Sequence, residues 1–246
     1  MKTCLITGAS GGVAAALAEN LRSQGWKLVL ASRNIEKIDS HPDEKAIPAD
    51  VSTEAGAELA VSEATAFFGA LPDAVVNCAG AILIAPIART SEAQYRACLS
   101  ANLDTAFFTG KAYASALQKN KRAGSLILFS SVAAASGVGN HAAIAIAKGG
   151  IEALVRSLAA DFSSIGLRVN AIAPGLMQTP ATERMVSNEA AAKQIAAQYP
   201  LGRYGQASDA ANLAAFLISD QASWINGQII SVDGGFSAVR PYVKSA

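Results

Sequence analysis

Short apolar runs and longer alanine-rich amphipathic runs alternate from one end of the chain to the other, and few folds accommodate that. Strand patterns are expected at Lys2–Thr7, Lys27–Ser32, Ala46–Asp50, Ala74–Asn77, Ser125–Ser130, Arg168–Ala173 and Gln228–Val232. Helical patterns fall between them at Val13–Ser23, Thr53–Phe68, Ser91–Asn120, His141–Phe162 and Ser208–Ser219. Such alternation builds βαβ units, whose right-handed crossovers leave the strands parallel. The expected fold is therefore α/β, a Rossmann-type doubly wound parallel sheet of seven strands with helices on both faces. Hydrophobic residues make up 51% of the chain and charged ones 16%, which suits a sheet buried on both sides. No linker, charge run or repeat divides the sequence, so residues 1–246 are expected to form a single domain.

Several function classes drop out on composition. Net charge is +1 and the basic residues are scattered, which argues against nucleic acid as a partner. The apolar stretches, such as 81–88 and 142–147, are too short to span a bilayer, so no membrane partner is expected. The N-terminus runs from a short apolar segment into glycines, as a strand and turn do, unlike a signal peptide. Three cysteines (Cys4, Cys78, Cys98) make no disulfide framework and imply a reducing, cytoplasmic setting.

In an open α/β sheet, ligands bind beyond the carboxyl ends of the strands. The first such end carries Thr7-Gly8-Ala9-Ser10-Gly11-Gly12-Val13-Ala14. Gly8 permits a tight turn, and Gly12 lets a helix N-terminus approach a pyrophosphate that its free N–H groups and dipole favour. Gly8, Ser10, Gly11, Gly12 and Val13 form the expected dinucleotide cradle. The second strand ends Ser32-Arg33-Asn34 with no acidic residue for a ribose 2′-hydroxyl. Ser32 and Arg33 instead offer a donor and a cation to a 2′-phosphate, so NADP(H) is the expected cofactor.

A second stretch, Ser130 to Lys148, follows an apolar run that stops at two hydroxyls. A Gly-Val-Gly-Asn turn leads to a helix expected to open at Asn140 as N-cap. His141, Ile144 and Lys148 then share one face.

Together with Asp50-Val51, Asn77-Cys78-Ala79-Gly80, Asn102, Ser131, Lys148, Pro174-Gly175 with Thr179, Pro200-Leu201-Gly202-Arg203 and Asp233-Gly234-Gly235, the first turn makes the whole chain resemble a short-chain dehydrogenase/reductase. It is similar to the 3-oxoacyl-carrier-protein reductases. The resemblance implies hydride transfer between a nicotinamide and a carbonyl or alcohol of a small-molecule substrate. It implies that Asp50 and Val51 meet the adenine, and that Asn77, Ala79 and Gly80 lie beside the adenosine and its ribose. Pro174, Gly175 and Thr179 would contact the nicotinamide and its phosphate. Ser131 would orient the substrate oxygen, Lys148 would hold the nicotinamide ribose, and Asn102 would support a proton relay. Residues 176–200 would form a substrate lid. The helices around 91–120 and 141–162 would make a homo-oligomer interface, for a dimer or tetramer, or a hetero-oligomer with an active relative.

At one place the chain departs from the resembling pattern. The family's proton-transferring tyrosine precedes the lysine by four residues, which falls on Ile144. An isoleucine neither donates nor accepts a proton, and losing a general acid costs about 10²–10⁴-fold in rate. Three readings stay open: proton delivery through Lys148 with Asn102, or through His141; a cofactor-binding protein without turnover; or an inactivating replacement at residue 144. A conjugated acceptor such as an enone would need the least acid help.

Overall fold

The computed structural model describes residues 1–39 and 41–240; residue 40 and the last six residues of the expected 1–246 unit lie outside the described residues. Its main sheet has seven parallel strands in the order β3-β2-β1-β4-β5-β6-β9. These are β1 (Thr3–Thr7), β2 (Lys27–Ser32), β3 (Lys45–Pro48), β4 (Ala74–Asn77), β5 (Gly124–Phe129), β6 (Leu167–Pro174) and β9 (Ile229–Val232). A two-stranded parallel pair, β7 (Met177–Gln178) with β8 (Gly205–Gln206), stands apart from it. The helices are α1 (Gly12–Ser23), α2 (Glu54–Phe68), α3 (Glu92–Leu99), α4 (Thr105–Asn120), α5 (Ala142–Phe162), α6 (Glu189–Ala196) and α7 (Ala207–Ile218). The expected doubly wound α/β fold is the one found.

Strand side chains alternate between two cores, as pleating dictates. On one face Leu5, Val29, Val75, Leu126 and Val169 pack with Ala60 and Val61 of α2, Tyr113 and Leu117 of α4, and Val155 of α5. On the other, Cys4, Ile6, Leu28, Val76 and Ile127 pack with Leu17 and Leu21 of α1 and Ala211 and Ala214 of α7. Burying one such leucine or valine contributes about 1.5–3 kcal/mol. The many alanines let helices lie close over the sheet, which is why so alanine-rich a chain still makes two complete layers.

Three sequence expectations need correction. The expected helix over 91–120 is interrupted: α3 passes into α4 through a π-helical segment, Ser100–Asp104. One extra residue is accommodated there, around the buried Asn102. Second, Asn140 does not cap α5. It adopts a left-handed φ of +62°, which asparagine tolerates, and its carbonyl accepts from the Ala85 N–H at 2.9 Å. His141 takes the N-cap position with no side-chain cap bond, so it precedes the helix rather than starting its face. Third, β3 ends at Pro48, not Asp50. The Asp50 carboxylate accepts from the Ser52 N–H at 3.1 Å and from its hydroxyl at 2.7 Å, turning the chain toward α2.

Candidate functional site

The sheet order reverses between β1 and β4, and there the Gly8 turn meets the loop after β4. Gly8 has φ +67°, and a Cβ on it would lie 2.3 Å from the Ala79 nitrogen. Only glycine allows so close an approach. Asn77, buried at the end of β4, ties the two ends together: its Oδ1 accepts from the Thr7 hydroxyl at 2.7 Å and from the Ala79 N–H at 3.1 Å. The crevice edge therefore joins Gly8 of the first turn to Asn77, Ala79 and Gly80.

At the N-cap of α1, Gly11 supplies no side-chain oxygen to the first-turn N–H groups, including those of Val13 and Gly12. An N-terminus left uncapped by side chains suits a diphosphate. Thr179 and Pro180 lie over the same turn, about 3 Å from where a Gly12 Cβ would stand. The residues present thus fit a dinucleotide's phosphates. One strand further, the Ser10 and Ser32 hydroxyls are 2.9 Å apart, with Arg33 exposed beside them. The Ser52 side chain, with a smaller contribution from the Arg33 charge, holds the Asp50 carboxyl below its ordinary range. Val51 by contrast turns its side chain into the core, leaving only its backbone to face a ligand.

Lys148 reaches this edge from α5. Its side chain is buried and its Nζ donates to the Phe129 carbonyl at 2.8 Å. No carboxylate pairs with it among the described residues. A Cβ on Gly80 would lie 2.9 Å from Asn102 Oδ1 and 3.6 Å from Lys148 Nζ, so these three residues converge. Burial drives the ammonium down to about 8, while the nearby Cys98 and Cys78 sulfurs act weakly the other way. Burial likewise pushes the Cys78 thiol up to about 12, so it stays protonated and unreactive.

Asn102 spends its amide on the protein. Nδ2 donates to the carbonyls of Ala81 (3.0 Å) and Cys98 (2.9 Å), and Oδ1 accepts from the Ala81 N–H at 3.3 Å. It thereby pins the loop after Gly80 to the π-helical turn. Ser131 Oγ accepts from the Ala133 N–H at 3.2 Å, and among the described residues nothing accepts its own hydrogen. Ile144, one turn before Lys148, is buried in a small apolar cluster with Ala143 and Cys98, against which Leu83 and Tyr95 pack. His141 Nδ1 lies 2.6 Å from the Gly139 carbonyl, which anchors the ring to its own loop. Pro174 ends β6, next to the strand that precedes Ser131, and Gly175 and Thr179 follow it.

Sequence reasoning missed several contributors. Ser130 Oγ donates to Glu152 Oε1 at 2.8 Å, bracing the strand end from α5; the spacing of Glu152 four residues after Lys148 was a readable signal. The Phe129 carbonyl and the loop at Ala81 carry no signal of their own, because they act through backbone atoms.

With this geometry in view, comparison with known proteins is informative. A family model described as enoyl-(acyl carrier protein) reductase matches residues 8–237. The chain is 34% identical over 243 residues to the 3-oxoacyl-(acyl-carrier-protein) reductase FabG of Escherichia coli (strain K12), covering 97% of this chain and 98% of that one. It is also 34% identical over 254 residues to a Bacillus subtilis (strain 168) protein named "Probable 2,4-dienoyl-CoA reductase", covering 98% of each. Among solved structures, a short-chain dehydrogenase/reductase from Brucella melitensis superimposes with a TM-score of 0.88 at 33% identity, covering 96% of each chain.

Proposed function

The chain belongs to the short-chain dehydrogenase/reductase family, and we propose that within it this protein is an NADP(H)-dependent reductase whose proton comes from Lys148 instead of a tyrosine. The observation that carries the reading is the buried Lys148 ammonium, bonded to the Phe129 carbonyl and free of any carboxylate among the described residues, at the edge formed by Gly80 and Asn102. Two of its N–H groups remain for a ligand, and a value near 8 keeps it protonated at neutral pH yet able to give the proton up.

Bound NADPH would supply the hydride. The chain's own residues do the rest. The first turn of α1 takes the diphosphate, and Ser10, Ser32 and Arg33 take the 2′-phosphate. Asp50 and the Val51 backbone line the adenine side, with Asn77, Ala79 and Gly80 along the adenosine ribose. Pro174, Gly175 and Thr179 hold the nicotinamide end. Ser131 donates a hydrogen bond from its hydroxyl to the substrate oxygen, and Lys148 gives up the one proton that the hydride adduct takes, leaving a neutral amine that solvent reprotonates. Asn102 keeps the Gly80–Ala81 loop in place beneath the ammonium.

Lys148 gives its proton from beside the Phe129 carbonyl, and apolar Ile144 fills the place where the resembled pattern puts its phenol, so the reading favours substrates whose hydride adduct is a stabilised anion. Conjugated enones meet that condition, because the negative charge spreads into an enolate. The family model described for enoyl reduction and the relative named for dienoyl reduction support this choice. Residues 176–200 act as the lid of a single 1–246 domain. Exposed Phe107 on α4 and Ile146 on α5 support a homo-oligomer through those helices. Three free cysteines support a cytoplasmic setting, and among the described residues no helix is long and apolar enough to cross a membrane.

The test is NADPH consumption by the purified protein against carbonyl and conjugated-enone panels, with Lys148→Ala as reference. Enone rates well above that variant are expected. Rates no better than the variant would sink the reductase reading. Tight NADPH binding without turnover, with a homologous chain co-purifying, would instead assign the protein as a cofactor-binding subunit.

A further inference from the structure

The segment between β6 and α7 begins and ends at one hydrogen bond. The Leu176 N–H donates to the Tyr199 hydroxyl at 2.7 Å. The Tyr199 ring is buried, tilted against Phe236 at 5.4 Å between centroids, and packed on the bare backbone of Gly175. A Cβ on Gly175 would come within 2.8 Å of the ring. The Leu176 carbonyl accepts from the Gly205 N–H at 2.9 Å, and the β7–β8 pair aligns Met177 with Gly205. The Leu201 N–H bonds the Gly234 carbonyl at 3.2 Å. Both ends of the segment are thus anchored at a common neck, while the residues between them form turns and a short helix, with none of 183–198 buried.

We propose that Tyr199 is a positioning residue: its phenol latches the neck and so fixes the Pro174–Gly175–Leu176 turn against the nicotinamide end of the cofactor. This rests on the NADP(H) reading above, but the latch itself is a property of the chain alone. The phenol supplies an acceptor to a backbone N–H that the turn would otherwise leave unpaired, and its ring fills the space that glycine at 175 opens. Motion of the intervening segment then hinges inside the neck, and the turn stays in place whether the segment is open or closed. Burial pushes the Tyr199 hydroxyl above its ordinary value, so it remains an uncharged phenol at working pH.

The test uses Tyr199→Phe, which removes one oxygen and keeps the ring, and Gly175→Ala, which pushes the ring away. NADPH affinity is measured beside affinity for adenosine 2′,5′-bisphosphate, a ligand with no nicotinamide. Limited proteolysis within 179–198 is followed in cofactor-free protein. The latch predicts that Tyr199→Phe weakens NADPH by about five- to thirty-fold, the equivalent of one buried hydrogen bond. It predicts an unchanged affinity for the bisphosphate and faster cleavage within 179–198; Gly175→Ala, whose own backbone faces the nicotinamide end, is read by cleavage alone and should also be cut faster. Equal loss for both ligands, or unchanged NADPH affinity, would overturn the positioning role. Unchanged cleavage would overturn the latch. If the wild-type protein bound neither nucleotide, the NADP(H) reading would fall, and the cleavage rates would still decide the latch.

Discussion

Lys148 Nζ donates to the carbonyl oxygen of Phe129 at 2.8 Å, tying the second turn of α5 to the last residue of β5. That bond satisfies a buried cation with a neutral acceptor, so no carboxylate offsets its desolvation. The consequence is an ammonium that titrates near 8 instead of near 10.5.

If Lys148 is the proton donor, reduction requires its charged form. The kcat/KM for NADPH-dependent reduction should be flat in acid and fall about tenfold per pH unit above about 8. Lys148→Met should be slow and lack that inflection. Stability should move the opposite way. Between about 8 and 10.5 the folded protein binds fewer protons than the unfolded chain, so stability rises with pH across that window. Urea midpoints of wild type and Lys148→Met check the sign: the wild-type midpoint should climb toward the variant's. A wild-type midpoint that fell would refute the buried-ammonium account.

Ile144 occupies the position one helical turn before Lys148, against Cys98, Leu83 and Tyr95. Ile144→Tyr should place a phenol on the same helix face as the ammonium. Carbonyl reduction should then rise by about 10²-fold or more. The larger ring overpacks the cluster, at a cost of about 1–3 kcal/mol. Adding Leu83→Ala should recover part of that stability without lowering the new activity. Steady-state rates with simple ketones, alongside thermal melts, measure both. No gain in rate with NADPH binding intact would mean that the substrate pocket, and not the missing acid, limits carbonyl chemistry.

Much of this site was legible because it lies where strands end. Gly8, Asn77 and Ser131 each follow an apolar run, and parallel winding brings such ends to one edge whatever the details of packing. Lys148 was legible as a lone lysine set among Ala and Ile. What could not be read is what depends on backbone atoms or register. The π-helical turn at Asn102 arises where α3 and α4 join, and Asn102 looks in sequence only like a poor helix former. Asn140 suggested an N-cap by residue type, yet the bond from Ala85 to its carbonyl holds it in the left-handed region. Tyr199 lies 23 residues from Leu176 with no periodic pattern between them, so their bond emerges only in three dimensions.

The second strand makes a separate prediction about the cofactor. Ser32 and Ser10 pair at 2.9 Å, and Arg33 extends into solvent beside them. A 2′-phosphate bound there would exchange a solvated arginine for a charge-assisted contact. Arg33→Ala should weaken NADPH by about tenfold or more and leave NADH nearly unchanged. Ser32→Asp should go further, repelling the phosphate while offering a carboxylate to a ribose hydroxyl. Dissociation constants for the two nucleotides distinguish the outcomes. Equal losses for NADPH and NADH would remove the phosphate from this position.

Two glycines with the same backbone conformation separate strain from close approach. Gly8 and Gly25 have φ of +67° and +76°. A Cβ on Gly25 meets nothing within 4 Å, whereas one on Gly8 would sit 2.3 Å from the Ala79 nitrogen and 2.7 Å from the Cys78 carbonyl carbon. Gly25→Ala should therefore cost only the left-handed penalty, about 1–2 kcal/mol. Gly8→Ala adds a clash with backbone that cannot rotate away, so the β1 turn and the loop after β4 must part. Its cost should exceed that of Gly25→Ala by at least about 2 kcal/mol. Because Asn77 holds those same two segments together, the damage should reach the site. Gly8→Ala should lose dinucleotide binding under conditions where it is still folded, and Gly25→Ala should keep it. Urea denaturation and nucleotide titration of both variants give the comparison, and equal stability losses would show that the β1–β4 crevice yields more easily than its geometry implies.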